Sequence, residues 1–206
     1  MDQISDFWFG VAVLIPFMIG VFTLGWLINR FKNRRFTRAW TPLVSIIGGT
    51  VVEDGGGAAT SWLTGTFDGR KVYASMIPER NRNSEGGFRY HHFDAALQDV
   101  PGRVDWRVAY TGGVLGFGKE TWQVQADDPA VAERLQRAGI VDLIRPLAEA
   151  RAVPPGLPTV KYSARTATVT YSEDAGTSWI PTPERFRQQL ALLIRLAQVN
   201  AEVNPR

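Results

Sequence analysis

The residue types that can do chemistry fall into short groups along this chain, and their spacing decides what each could do. The run Gly113-Val114-Leu115-Gly116-Phe117-Gly118-Lys119 has the glycine and lysine spacing of a phosphate-binding loop. Glu120 stands where a Ser or Thr would hold magnesium, and its carboxylate repels phosphate. Thr121 to Gln125 reads as a strand, so no helix N-terminus faces an anion there. These glycines are therefore expected to turn a hairpin. The two histidines, His91 and His92, lie beside Asp94. Neighbouring residues on a strand point to opposite faces, so only His92 and Asp94 share one. Two ligands are too few for zinc, and a half-buried histidine pair is the plainer reading.

The acidic pairs Glu53-Asp54, Asp127-Asp128 and Glu173-Asp174 each flank a turn or a helix cap. A catalytic dyad requires carboxyls that converge in space, which chain neighbours do not guarantee. Ser61, Ser75, Ser163, Ser172 and Ser178 offer hydroxyls, but none sits in a Gly-x-Ser-x-Gly elbow. The chain has no cysteine, which excludes disulfides, thiolate metal sites and cysteine nucleophiles. Trp62, Trp106, Trp122 and Trp179 alternate within strand-like segments, where aromatic rings line a core more often than a pocket. No catalytic constellation, cofactor or metal is expected.

Behind these groups stand the elements that must position them. From Trp40 to Asp127 the pattern is of strands: Thr50 to Glu53, Ser61 to Phe67 and Arg70 to Met76 alternate or carry β-branched and aromatic residues, and Asp68-Gly69 between the last two is a tight-hairpin signal. Arg80 to Gly87 reads as a loop; Phe88 to Leu97, Val104 to Tyr110 and Glu120 to Gln125 continue the sheet. At Asp128 the period changes: a capping Asp, Pro129 and the apolar spacing Val131, Leu135, Ala138 open a helix that Gly139 stops. A second short helix over Val141 to Ala150 must accommodate Pro146. Val160 to Tyr162 and Ala167 to Ser172 form a second hairpin, and Thr182-Pro183 opens a final helix over Glu184 to Val203. The order argues for an α+β fold with a largely antiparallel sheet and two to three packing helices.

Upstream lies a different kind of segment. Residues 7–28, FWFGVAVLIPFMIGVFTLGWLI, contain no charge over twenty-two residues, and a bilayer core of roughly 30 Å needs about 20. Trp8 and Trp26 are separated along a helix by about 27 Å, which suits the two interfacial belts. Arg30, Lys32, Arg34, Arg35 and Arg38 follow, outnumbering Asp2 and Asp6 by three, which is the whole net charge of +3. The acidic start and the basic flank after the apolar run oppose a cleaved signal peptide. They predict an N-terminus outside and the rest inside. Residues 1–28 are thus expected to form a transmembrane anchor, 29–38 a basic juxtamembrane linker, and 39–206 a cytoplasmic domain. The linker either contacts anionic lipid or simply sets topology. That domain is electrically balanced, which argues against a nucleic-acid partner.

The segment Trp122, Val124, Asp127, Asp128, Pro129, Ala132, followed by an apolar helix, two strands and a closing helix, resembles a family of bacterial membrane-anchored proteins whose domain has no assigned activity. The resemblance covers about the last 85 residues and implies an inner-membrane location. On the last helix Phe186, Leu190, Leu193 and Ala197 form one apolar stripe, and Leu192, Leu196, Val199 and Val203 a second. If nothing in the domain covers the second stripe, Leu192, Leu196 and Val199 form a candidate interface. The leading expectation is a non-enzymatic domain, tethered to the lipid bilayer, that binds a protein partner or itself. The alternatives are a lipid- or small-ligand-binding module and, third, a hydrolase around the histidines.

Overall fold

In the computed structural model the described residues are 2–53, 61–80, 89–111, 121–150, 158–176 and 180–205. The hairpin signal at Asp68-Gly69 is realised with both φ angles positive, 51° and 72°. It joins β2 (Ser61–Phe67) to β3 (Arg70–Arg80), with Phe67 opposite Arg70. In chain order α1 (Asp2–Ile47) and β1 (Thr50–Glu53) precede this pair. After it come β4 (Arg89–Leu97), β5 (Trp106–Thr111), β6 (Thr121–Ala126), α2 (Pro129–Arg137) and α3 (Ile140–Glu149). Then β7 (Thr159–Ser163), β8 (Thr168–Gly176) and α4 (Pro183–Val203) complete the fold. All eight strands form one antiparallel sheet in the order β1-β2-β3-β4-β8-β7-β5-β6. The fold is α+β, as expected.

Both cap signals hold. Asp128 Oδ1 accepts the Ala130 amide at 2.9 Å, and Thr182 Oγ1 accepts the Arg185 amide at 3.2 Å. Pro146 sits inside α3. Among the described residues the helices pack on one face of the sheet. Across it runs a row of opposed residues, Leu63, Ala74, Ala95, Tyr171, Val160 and Val108, every one buried. α4 lies over β4 and β8, flanked by α1, α2 and α3.

Two expectations need correction. The segment 29–38 is helical backbone, part of one helix that continues to Ile47 where strand was expected from Trp40 onward. Tertiary packing overrides the β-branched composition there: Trp40, Leu43 and Ile47 are buried in the core, one helical face of the last two turns. Gly49 and Gly65 let that end sit against β2; a Cβ on Gly65 would lie 2.6 Å from the Ile47 carbonyl oxygen. Second, the candidate interface on α4 is internal. Leu192 and Leu196 are buried and Val199 is half-buried, because α4 is wedged between the sheet and the other helices.

In α1 the described side chains of the apolar segment are residues 14–27, all exposed. No helix among the described residues is long and apolar enough to cross a membrane. The side chains of Trp8, Arg30, Lys32, Arg34 and Arg35 lie outside the described residues; Trp26 and Arg38 are exposed.

Candidate functional site

Period-two alternation turns the next row of the sheet to the face without helices. There Trp62, Ser75, Asp94, Ser172 and Thr159 stand opposite one another from β2 to β7. The row beyond it carries Thr64, Tyr73, Ala96, Thr170, Lys161 and Arg107. Between them a groove of about 390 Å³ opens, lined by Trp62, Tyr73, Ser75, Asp94, Lys161 and Thr170 among others. That volume is within the range of small-molecule sites.

Asp94 is the one acidic side chain lining the groove among the described residues. Ser172 stands opposite Asp94 across the β4–β8 pair, and Asp94 Oδ1 is shielded from water and has no partner. Burial pushes the Asp94 pKa above the ordinary carboxylate value, with the Ser172 hydroxyl and the charges of Lys161 and His92 opposing that rise. Buried polar atoms in folded proteins nearly always find a partner, and Asp94 Oδ1 shares the lack of one with Trp40 Nε1, Arg185 Nη1 and Gln189 Oε1 on the covered face. The lining combines aromatic walls, one acid, hydroxyls and one amine. His92 shares the face with Asp94, as the strand period predicted, but is absent from the described lining of the groove. The His91 side chain lies outside the described residues, and no three metal-ligating side chains converge among those described.

The helix-covered face holds a different polar cluster. Glu173, in the row of Phe93, is fully buried and accepts from Tyr171 Oη at 3.0 Å, Arg185 Nη2 at 3.1 Å and Gln189 Nε2 at 2.6 Å. Nearby, Trp40 stacks on Phe93 at 5.9 Å, and Phe93 meets Phe186 edge-on at 6.1 Å. Nothing with access to solvent could react there, so the cluster is a structural ion pair. At the other end of α4, Asn200 Oδ1 accepts from Trp106 Nε1 at 2.6 Å, and Asn200 Nδ2 donates to the Pro101 carbonyl at 2.6 Å. Asn204 closes the same lock on the Arg103 and Val104 backbone.

Of the tryptophans, Trp62 lines the groove, Trp106 stacks on Tyr162 in the core at 6.1 Å, and Trp122 meets Tyr110 edge-on at 5.5 Å. Trp179 and the glycine run 113–119 lie outside the described residues, although the strands flanking that run, β5 and β6, pair antiparallel. Sequence reasoning missed Ser172, Lys161, Tyr73 and Ser75 as neighbours of Asp94. Alternation within each strand carried the facing of these residues, but the β4–β8 pairing that assembles them is non-local. No family model, curated protein or solved structure matches the chain.

Proposed function

We propose that this chain is a single-pass protein of a bacterial inner membrane, with its N-terminus outside. Its cytoplasmic domain is a non-catalytic module that binds a small ligand in the groove on the open face of the sheet. The observation that carries this reading is a groove of about 390 Å³ on the uncovered face, with Trp62 and Tyr73 as aromatic walls and Asp94 in its lining. The resemblance of residues 122–132 to bacterial membrane-anchored proteins supports the location. The anchor rests on the uncharged segment 7–28 and its basic flank. Within it Leu14, Phe17, Phe22 and Trp26 are each more than half exposed, on a helix apolar all round, which suits lipid rather than water. The helix continues unbroken, so Trp40, a core residue, lies about 18 Å beyond Ile28. On this reading the groove lies near the membrane surface. A protein-partner reading had the second stripe of α4 as its basis, and burial of Leu192 and Leu196 removes that basis.

Two measurements test the proposal. In the orientation, an engineered Gln3→Cys is labelled from outside the cell and Glu120→Cys is not; the reverse pattern refutes it. In the groove, a fragment library is screened by ligand-observed NMR against the full chain in nanodiscs. At least one fragment is expected to bind, and to be lost in the double variant Trp62→Ala, Tyr73→Ala with its circular dichroism unchanged. A library that yields no such fragment overturns the ligand reading.

A further inference from the structure

The open face carries a charge pattern that narrows the ligand, granted the reading of that face as a binding site. We infer that the ligand bears a phosphate group held by Lys161 and Arg107, with its body lying along the groove toward Tyr73 and Trp62.

One row of side chains crosses the open face in a graded order. Tyr73 on β3 stands opposite Ala96 on β4, Ala96 opposite Thr170 on β8, Thr170 opposite Lys161 on β7, and Lys161 opposite Arg107 on β5. Their chain neighbours Val160, Tyr162 and Val108 are buried under the helices, so alternation fixes Lys161 and Arg107 on the open face. An aromatic wall is thus followed by two smaller side chains and then by two cations. Tyr73, Ala96, Thr170 and Lys161 all line the groove, and Arg107 stands one strand beyond it. Tyr73 and Lys161 are three strand spacings apart, about 14 Å between backbones. A tyrosine ring and a four-carbon lysine stem shorten that gap to the length of a small organic molecule.

The two cations are placed at a cost. Directly opposed residues of an antiparallel pair have Cβ atoms about 5 Å apart, and like charges there repel. Lys161 and Arg107 are both exposed, and neither takes part in an ion pair among the described residues. The neighbouring acids do not close on them. Asp94 is two strands from Lys161 with Oδ1 shielded from water, and Asp105, two residues before Arg107, turns Oδ1 to the Ala164 amide. Two cations side by side, open to solvent and short of a counter-ion, suit an anion that touches both.

The form of the anion follows from charge and donor count. A carboxylate brings one charge and two oxygens, whereas a phosphate monoester brings close to two charges at neutral pH and three acceptor oxygens. Arg107 offers a planar fork and Lys161 a point charge, both of which bind phosphate. Thr170 and Gln125 extend the row on either side of the pair with a hydroxyl and a carboxamide, and add no negative charge. At the other end of the groove Trp62 and Tyr73 offer ring faces that stack on a flat body. The ligand class is therefore an organic phosphate with an aromatic or other flat apolar body.

The test uses the full chain in phosphatidylcholine nanodiscs at low salt, with thermal unfolding read against phenyl phosphate, inorganic phosphate, benzoate and benzylammonium. A second set of discs contains phosphatidic acid, which carries the same phosphate monoester on a lipid. Phenyl phosphate is expected to raise the midpoint with concentration as a native-state ligand does. It should do so more strongly than inorganic phosphate or benzoate, with benzylammonium without effect. Both cations are exposed, so Lys161→Gln and Arg107→Gln should fold with unchanged circular dichroism. Each is expected to weaken phenyl phosphate by roughly tenfold or more, and the double variant to abolish its shift. A shift from phenyl phosphate in phosphatidylcholine discs assigns the phosphate to a soluble molecule. A shift only in discs with phosphatidic acid, lost in the double variant, assigns it to a lipid headgroup. A shift that the double variant retains, an equal shift from benzoate or benzylammonium, or no shift from either source overturns the inference. If phosphate fails while the fragment screen yields hits lost in Trp62→Ala, Tyr73→Ala, the groove stands as a site and the phosphate assignment alone falls.

Discussion

Two neighbouring rows of side chains cross the same strands and do opposite things. In the row under the helices, Leu63, Ala74, Ala95, Tyr171, Val160 and Val108 exclude water completely, and a charge on the same face, Glu173, is held by three donors. In the row on the open face, Asp94 has a shielded oxygen without a partner, beside the half-exposed Ile77. Both faces carry a shielded acid; the covered face supplies Glu173 with three donors, although Arg185 Nη1 and Gln189 Oε1 in the same cluster have no partner. A charge that is buried and paired is held by the fold, whereas a charge left short of partners costs stability that recognition can recover. The covered face therefore sets stability, and the open face is the one on which a ligand site is proposed.

The largest test of that contrast is the buried pair. Glu173→Leu strands the Arg185 guanidinium, itself only 11% exposed, and is expected to cost about 3–5 kcal/mol in urea unfolding. Adding Arg185→Met should return most of the loss, because two apolar groups leave no uncompensated charge. A double variant as unstable as the single one would show that the pair is needed for more than mutual neutralisation.

Next in size is the lock at the far end of α4. Asn200→Ala removes the acceptor of Trp106 Nε1 and the donor to the Pro101 carbonyl, both at 2.6 Å, and should cost about 2–4 kcal/mol. Gly102→Ala probes the same place by crowding, since a Cβ there would lie 2.6 Å from Tyr162 Oη. A loss below about 0.5 kcal/mol for Asn200→Ala would mean that water satisfies both groups and the lock is no part of the core.

What the sequence disclosed was local. Asp68-Gly69, Asp128-Pro129 and Thr182-Pro183 act through their own backbone, and each formed the turn or cap its chemistry demands. What it hid was set by partners far along the chain. Trp40 to Ile47 carries strand-like residues yet completes a helix, because its apolar face is taken up by the core. The second stripe of α4 looked like an interface because no local pattern states how many neighbours surround a helix. His92 and Asp94 were correctly placed on one face, but only the pairing of β4 with β8 brings Ser172 beside Asp94.

On the open face the expected sign reverses. The folded-state pKa of Asp94 is raised by burial above an unfolded value of about 3.9, so the folded chain keeps this proton over the window between the two. In that window stability falls as pH rises, and above it the loss is constant. Asp94→Asn removes the charge, and is expected to stabilise the chain by about 1 kcal/mol at pH 7. The advantage should shrink as pH is lowered toward the unfolded carboxylate pKa. A destabilised Asp94→Asn at pH 7 would mean that the ionised carboxylate is a structural partner, and the contrast between the faces would fail at its central residue.

The smallest expected effect is the sharpest on coverage. Ile77 lies on β3 opposite His92 and is 48% exposed, the most exposed large apolar side chain among the described residues of the sheet. On a face left open in the folded chain, Ile77→Ser removes apolar surface that water already reaches, and stability should move by no more than about 0.5 kcal/mol. Were another element of the chain laid over this face in solution, the same substitution would place a hydroxyl in an apolar contact. The cost would then reach about 1–3 kcal/mol. A loss of that size in the full chain would close the groove to ligands and assign the aromatic walls of the open face to an unseen second core. A neutral result, with Glu173→Leu strongly destabilised in the same assay, leaves the two faces doing different work.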